Sequence, residues 1–172
     1  RPSAILLPNH NCIYLFCLNL SRALGVSSTG PKIDIQNQRI NNYDILNSYF
    51  NFHNLPLQYL GGQSGDISVG NTKPFVYILT YHSSKGLDFD HVFLPMMNFD
   101  LKIGHSKSRN DDMEYARTLF FVAITRSRER LILSYSSDEP FTFINEMPKE
   151  VVAFTKDGPD EMDDDNDDSE FF

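Results

Sequence analysis

The sequence predicts an α/β domain built on a mostly parallel central sheet. Four short apolar runs, Ala4–Leu7, Phe75–Thr80, Val92–Met96 and Leu131–Tyr135, read as strands buried on both faces. Helical patterns lie between them, and strands alternating with helices favour a parallel sheet. Glycine, proline and asparagine mark the joins.

Taken in order, AILL at Ala4–Leu7 is the first strand, and Pro8 and Asn9 end it. A helix is expected from Cys12 to Leu24, with Gly25 as its stop. Ile33 and Ile35 alternate with polar residues and suggest a weaker strand. Tyr43, Leu46, Tyr49 and Phe50 recur at helical spacing within Asn41–Phe52, and Asn54–Pro56 breaks that helix. Leu57–Leu60 reads as a strand ended by Gly61 and Gly62. Phe75–Thr80 and Val92–Met96 follow as buried strands, and the polar stretch Asp100–Asp112 reads as a loop. Met113–Arg130 is expected to be one long helix, with Met113, Phe120, Ala123, Ile124 and Leu131 approximating an apolar stripe. Leu131–Tyr135 is a strand, and Phe141–Met147 a last short helix.

The length of 172 residues suits one domain with a real core. The net charge of −8 is unevenly spread. Residues 157–172 hold nine of the 23 acids and no Lys or Arg, which leaves residues 1–156 at a net of +1. We therefore expect a folded domain over 1–156 and a disordered acidic tail over 157–172. The tail reads either as a solvating end or as an acidic–aromatic peptide, with Phe171 and Phe172 anchoring a protein partner or mimicking DNA. Apolar runs fall short of the roughly 20 residues of a membrane helix, so a soluble cytoplasmic protein without a membrane partner is expected. Cys12 and Cys17 read as small buried hydrophobes, and no residue spacing suggests a metal site.

Two stretches carry chemistry. TYHSSKGLDF at Thr80–Phe89 follows a buried strand and gathers hydroxyls, an imidazole, a lysine, a turn glycine and a carboxylate. Parallel-sheet proteins place ligands beyond the carboxyl ends of their strands. Hydroxyls, imidazoles and backbone N–H groups are also what hold a sugar–phosphate backbone. The second stretch is EYARTLFFVAITRSRER at Glu114–Arg130. On a helix, Arg117, Phe121, Thr125 and Arg128 would share a face, with Arg126 about 100° round from Thr125. A guanidinium is a planar, permanently charged fork suited to phosphate.

These stretches resemble motifs V and VI of UvrD/Rep-type superfamily 1 DNA helicases. TYHSSKGLDF is similar to the form T-x-H-x-x-K-G-L-E-[FW], and ARTLFFVAITRSRERLILSY to R-R-L-x-Y-V-[GA]-x-T-R-A. Residues 4–25 resemble, more loosely, the unit that holds motif IV. The resemblance implies a RecA-like three-layer domain, the second of two motor domains that close on ATP and Mg²⁺ and step along single-stranded DNA in the 3′-to-5′ direction. It makes Arg126 the catalytic arginine finger, which reaches the γ-phosphate. It puts Asp88 and Gly86 with Arg126 on the ATP side, and Thr80, His82 and Ser83 on the DNA side. Lys85, Arg117 and Thr125 become coupling residues, with Arg117 structural or coupling rather than catalytic.

There are departures. Asp88 stands where the family usually has Glu, one methylene longer. LLPNHNC has no arginine where motif IV often supplies one. Residues 26–79 leave no room for a large inserted subdomain. No G-x-x-x-x-G-K-[ST] occurs, and GGQSGD at Gly61–Asp66 lacks the lysine. The chain alone is therefore expected to be inactive, with ATP and Mg²⁺ held mainly by an N-terminal motor domain.

Competing readings stand beside these. A degenerate helicase fold could serve as a non-catalytic interaction module. His82 could be a satisfied polar residue, and Arg117 an ion-pair partner of Glu114. Arg128 and Arg130 read as solvated charges at a helix end. Tyr43, Tyr49, Phe50 and Phe52 could stack on bases but more often form core. His10, His53, His91 and His105 show no ligand spacing.

Overall fold

The computed structural model describes residues 2–27, 29–31, 43–61, 75–98, 101, 103, 109–136, 139–153 and 155. Five strands, β1 (Ser3–Leu7), β2 (Leu57–Tyr59), β3 (Val76–Thr80), β4 (Phe89–Leu94) and β5 (Ser127–Leu133), form one sheet in the order β2-β3-β1-β4-β5. Every pairing in it is parallel. Helices α1 (His10–Ala23), α2 (Tyr43–Phe52), α3 (Arg109–Ile124) and α4 (Thr142–Asn145) flank the sheet, and Lys149–Val151 adds one 3₁₀ turn. The α/β class and the parallel sheet expected from the sequence are what the structure has.

The central strands are apolar on both sides because both sides are covered. Ala4, Leu6, Leu79, Val92 and Leu94 pack with Ala116, Leu119, Phe120 and Ala123 of α3 and with Phe143 and Ile144 of α4. Ile5, Leu7 and Ile78 pack on the other face with Ile13 and Cys17 of α1 and Leu46 and Phe50 of α2.

Local signals explain the helix ends. Asn9 caps α1, its side chain accepting from the Cys12 N–H at 3.0 Å. Gly25, at φ +65°, closes it, with Val26 N–H donating to Ser21 C=O and Gly25 N–H to Arg22 C=O. That pair of bonds is a Schellman ending. Ser21 ties the helices together, donating to Cys17 C=O at 2.6 Å and accepting from the Tyr49 hydroxyl at 2.6 Å. Asn47 of α2 bonds both the N–H and the C=O of Tyr59, satisfying backbone on edge strand β2. Asn54 takes φ +53° where the break was expected. Phe50 is core, but Phe52 is 82% exposed. Both cysteines are free thiols, with Cys17 buried and Cys12 half-buried.

Several boundaries need correction. The helix expected over Met113–Arg130 begins earlier, at Arg109, and stops at Ile124. Residues 127–133 are strand, so Arg128 and Arg130 are not helix-end charges. Leu131 and Leu133 pack into the core with period two, while Ile132 is 45% exposed; pairing with β4 wins over the helical reading. Arg128, Glu129 and Arg130 fit there because β5 is an edge strand with one neighbour. The core stripe of α3 is Ala116, Leu119, Phe120 and Ala123, while Met113 is exposed. β4 starts at Phe89, three residues before the expected strand. The stretch expected to be a polar loop contributes Ile103 to the core. The strand expected at Ile33 and Ile35, most of GGQSGD, His105 and the acidic tail lie outside the described residues. Among the described residues no helix is long and apolar enough to cross a membrane.

Candidate functional site

Residues 80–89 form a strap across the sheet. Thr80 ends β3 opposite Leu7, the last residue of β1. Phe89 begins β4 opposite Ser127, the first residue of β5. Because all strands are parallel, the strap runs from the carboxyl end of the sheet to its amino end. The two groups of residues singled out in the sequence therefore lie at opposite edges of the sheet.

At the carboxyl end the polar groups close on one another. The Thr80 hydroxyl donates to Ser83 Oγ at 2.8 Å and accepts from the Ser83 N–H at 3.0 Å. Ser84 Oγ donates to Tyr81 C=O at 2.8 Å, and Ser84 N–H to Thr80 C=O at 3.0 Å. Thr80, Tyr81 and Ser84 are buried, and the Tyr81 hydroxyl donates to Met97 Sδ at 3.2 Å. Burial pushes the Tyr81 phenol far up from its ordinary pKa. Thr80 is thus a turn-forming residue whose hydroxyl is already engaged. His82 is exposed and Ser83 half-buried, so they are the two DNA-side candidates that reach solvent.

Lys85 and Gly86 are exposed at the middle of the strap. Gly86 takes φ +85°, a left-handed conformation that suits glycine, and the chain turns there towards the amino edge.

At the amino end Arg126 lies against the strap. Its Nε donates to Val122 C=O at 2.9 Å, Nη1 to Leu87 C=O at 3.1 Å and Nη2 to Thr125 Oγ1 at 3.2 Å. Phe89 N–H donates to Arg126 C=O at 2.9 Å, fixing the arginine's backbone to the start of β4. A guanidinium has five N–H donors; three of those on Arg126 have acceptors among the described residues. The side chain is 20% exposed. Asp88 Oδ1 lies 3.5 Å from Arg126 Nη1, and its Oδ2 accepts from Arg128 Nη2 at 3.2 Å.

Arg117 lies elsewhere on α3. It pairs with Glu146, just after α4, through both nitrogens and sits 4.7 Å from the centre of the Phe143 ring. The hydrogen bond to Glu146 raises its pKa. The ion-pair reading of Arg117 was right in kind, but the hydrogen-bonded partner is Glu146 rather than Glu114. Arg117 and Phe121 are exposed on α3 and Thr125 is exposed in the turn that follows it, whereas Arg128 belongs to β5. Sequence reasoning missed three contributors here: the Leu87 and Val122 carbonyls, and Arg128. Backbone carbonyls leave no mark in a sequence. Arg128 did leave one, since it lies two residues from Arg126, the spacing at which a strand repeats a side.

Comparison with known proteins adds to this geometry. A family model described as UvrD-like helicase C-terminal domain matches residues 52–138, which include the whole strap, Arg126 and Arg128. The ATP-dependent DNA helicase Rep of Buchnera aphidicola subsp. Schizaphis graminum is 34% identical over 92 residues, covering 48% of this chain and 14% of that protein. The ATP-dependent DNA helicase PcrA of Staphylococcus epidermidis is 34% identical over 100 residues, covering 51% of this chain and 14% of that protein. The C-terminal domain of a possible DNA helicase from Lactobacillus plantarum WCFS1 gives a TM-score of 0.41 at 13% identity, covering 87% of this chain and 81% of that one. The chain thus spans about one seventh of the length of the curated relatives it matches. With the family model covering half of its residues, and both motifs inside the match, this chain belongs to the UvrD-like helicase C-terminal domain family.

Proposed function

We propose that this domain is the second motor domain of an ATP-dependent DNA helicase or translocase. In this reading Arg126 is the arginine finger for ATP bound by a preceding motor domain. One observation supports it most: the Arg126 guanidinium is held by three hydrogen bonds within motifs V and VI, and among the described residues its other two N–H donors have no hydrogen-bond acceptor. Fixing a cation before the reaction avoids reorganisation when charge develops on the transferring phosphoryl group. Asp88 and Gly86 line the approach to the nucleotide beside it. Thr125 supports the finger by accepting from its Nη2.

On the opposite edge, His82 and Ser83 contact the single-stranded DNA backbone, and Thr80 acts through Ser83 by fixing its orientation. Lys85 and Gly86 join the two edges, so movement at one is transmitted along the strap to the other. Arg117 braces α3 against the segment after α4. ATP chemistry also needs Mg²⁺. Among the described residues no cluster of three His, Cys, Asp or Glu side chains is placed to hold a metal. In this reading both ATP and Mg²⁺ are held mainly by the partner motor domain. Alone, the 172-residue chain then has no ATPase activity.

The test is Arg126→Ala in the full-length protein. ATP turnover should fall by roughly 10³-fold or more, the scale of a lost arginine finger, while binding of a fluorescent ATP analogue persists. Arg126→Lys should not restore turnover, because an ammonium lacks the fork. Unchanged turnover in Arg126→Ala would refute the assignment.

A further inference from the structure

We infer that Arg128 is a positioning residue, holding the Asp88 carboxylate so that Arg126 keeps free donors for a phosphoryl oxygen. The inference rests on the assignment of Arg126 to phosphate contact and adds a residue to that site.

Asp88 stands between two guanidinium groups and divides itself unequally. Its Oδ2 accepts a hydrogen bond from Arg128 at 3.2 Å, whereas its Oδ1 is only an ion-pair neighbour of Arg126 at 3.5 Å. The cation that donates the hydrogen bond is the more solvated one, since the Arg128 side chain is 62% exposed against 20% for Arg126. The backbone imposes this arrangement. Phe89 pairs with Ser127, and Phe89 N–H donates to Arg126 C=O, so Asp88 arrives beside the start of β5. Arg128, two residues beyond Arg126, meets the same carboxylate.

A carboxylate with one arginine within reach tends to take it bidentate, through two parallel N–H···O bonds. For Arg126 that geometry would occupy the donors left over from Val122, Leu87 and Thr125. A phosphoryl oxygen would then compete with a neighbouring anion for the same guanidinium. Arg128 offers the carboxylate a second partner and turns Oδ2 away from Arg126.

The experiment uses the full-length protein and steady-state ATP hydrolysis. Arg128→Ala should lower kcat roughly threefold to fivefold, the scale of an exposed ion pair, with KM for ATP and the unfolding midpoint unchanged. Arg128→Lys should retain most of the activity. Adding Asp88→Asn to Arg128→Ala should raise kcat again, because the amide cannot capture Arg126 as an anion does. A merely structural Arg128 would move the unfolding midpoint and would not be rescued at Asp88. Wild-type turnover in Arg128→Ala would overturn the inference, and so would an effect of Arg128→Ala that is as large in the Asp88→Asn background as in the wild type. If Arg126→Ala is inactive while Arg128→Ala is normal, only the Arg128 inference fails. If Arg126→Ala is active, the reading of the whole site fails.

Discussion

At the carboxyl end of β3, the hydroxyls of Thr80, Ser83 and Ser84 find partners within the same turn. At the amino end of β4, Arg126 reaches three acceptors, and among the described residues its remaining donors have none. The chemistry of the groups explains the contrast. A hydroxyl both donates and accepts, so a few of them can close a turn without outside help. A guanidinium only donates, and no arrangement of arginines can satisfy itself. The carboxyl end is therefore a rigid support that presents His82, while the amino end keeps an unsatisfied demand for oxygen acceptors. In the proposed reading, phosphoryl oxygens meet that demand.

The largest effect should come from alkali, which attacks two buried acids: Tyr81 in the support and Cys17 of α1, on the other face of the sheet. Burial pushes the Cys17 thiol up to about 12 from an ordinary value of 9.0, and Tyr81 is raised as well, again by burial first. Both are neutral acids in the folded state. Their contribution is fully present below the unfolded pKa. It falls as pH rises from there towards the folded pKa, because the unfolded chain releases protons that the folded chain keeps. For Cys17 the window runs from pH 9.0 to about 12. Stability should fall there by about 1.4 kcal/mol per pH unit for each group titrating in the unfolded state. Urea unfolding across that range checks it. Cys17→Ala should flatten the slope; an identical slope in the variant would mean the thiol is not protected by burial.

A smaller effect separates turn from contact at Thr80. Thr80→Val keeps the shape but removes a hydroxyl that both donates to and accepts from Ser83. Leaving those partners unsatisfied beside a buried position should cost about 1–3 kcal/mol. Denaturant unfolding midpoints would show it. A cost near zero would mean that the hydroxyl is free to serve DNA directly, and the contrast between the two ends would weaken.

What the sequence revealed follows from burial. β1, β3 and the later part of β4 were legible because strands covered on both faces are apolar throughout. The C-terminal end of α1 was legible because Gly25 acts locally, whereas Asn9, read as the end of the first strand, also caps the helix. β5 was hidden in its first half, since an edge strand can hold Arg128, Glu129 and Arg130 and so resembles a charged helix end. The site was legible as two motifs but not as a geometry. Thr80 looked like a ligand-facing hydroxyl, yet only the fold shows that Ser83 already engages it. The partners of Arg126 are mostly backbone carbonyls, whose positions depend on how the strap crosses the sheet.

The smallest stability effect should be found at His82, and there it is most informative. His82 is exposed on a turn whose shape is set by Thr80, Tyr81 and Ser84, and its side chain makes no hydrogen bond among the described residues. His82→Ala should change stability by less than about 0.5 kcal/mol, as for surface substitutions away from special features. In the full-length protein it should still weaken single-stranded DNA binding, measured by fluorescence anisotropy at fixed ionic strength because phosphate contacts are salt-dependent. Thr80→Val should show the reverse order, with the larger loss in stability. If instead His82→Ala destabilises the fold and leaves DNA affinity intact, His82 belongs to the support, and the contact surface must be sought at Ser83 and beyond the strap.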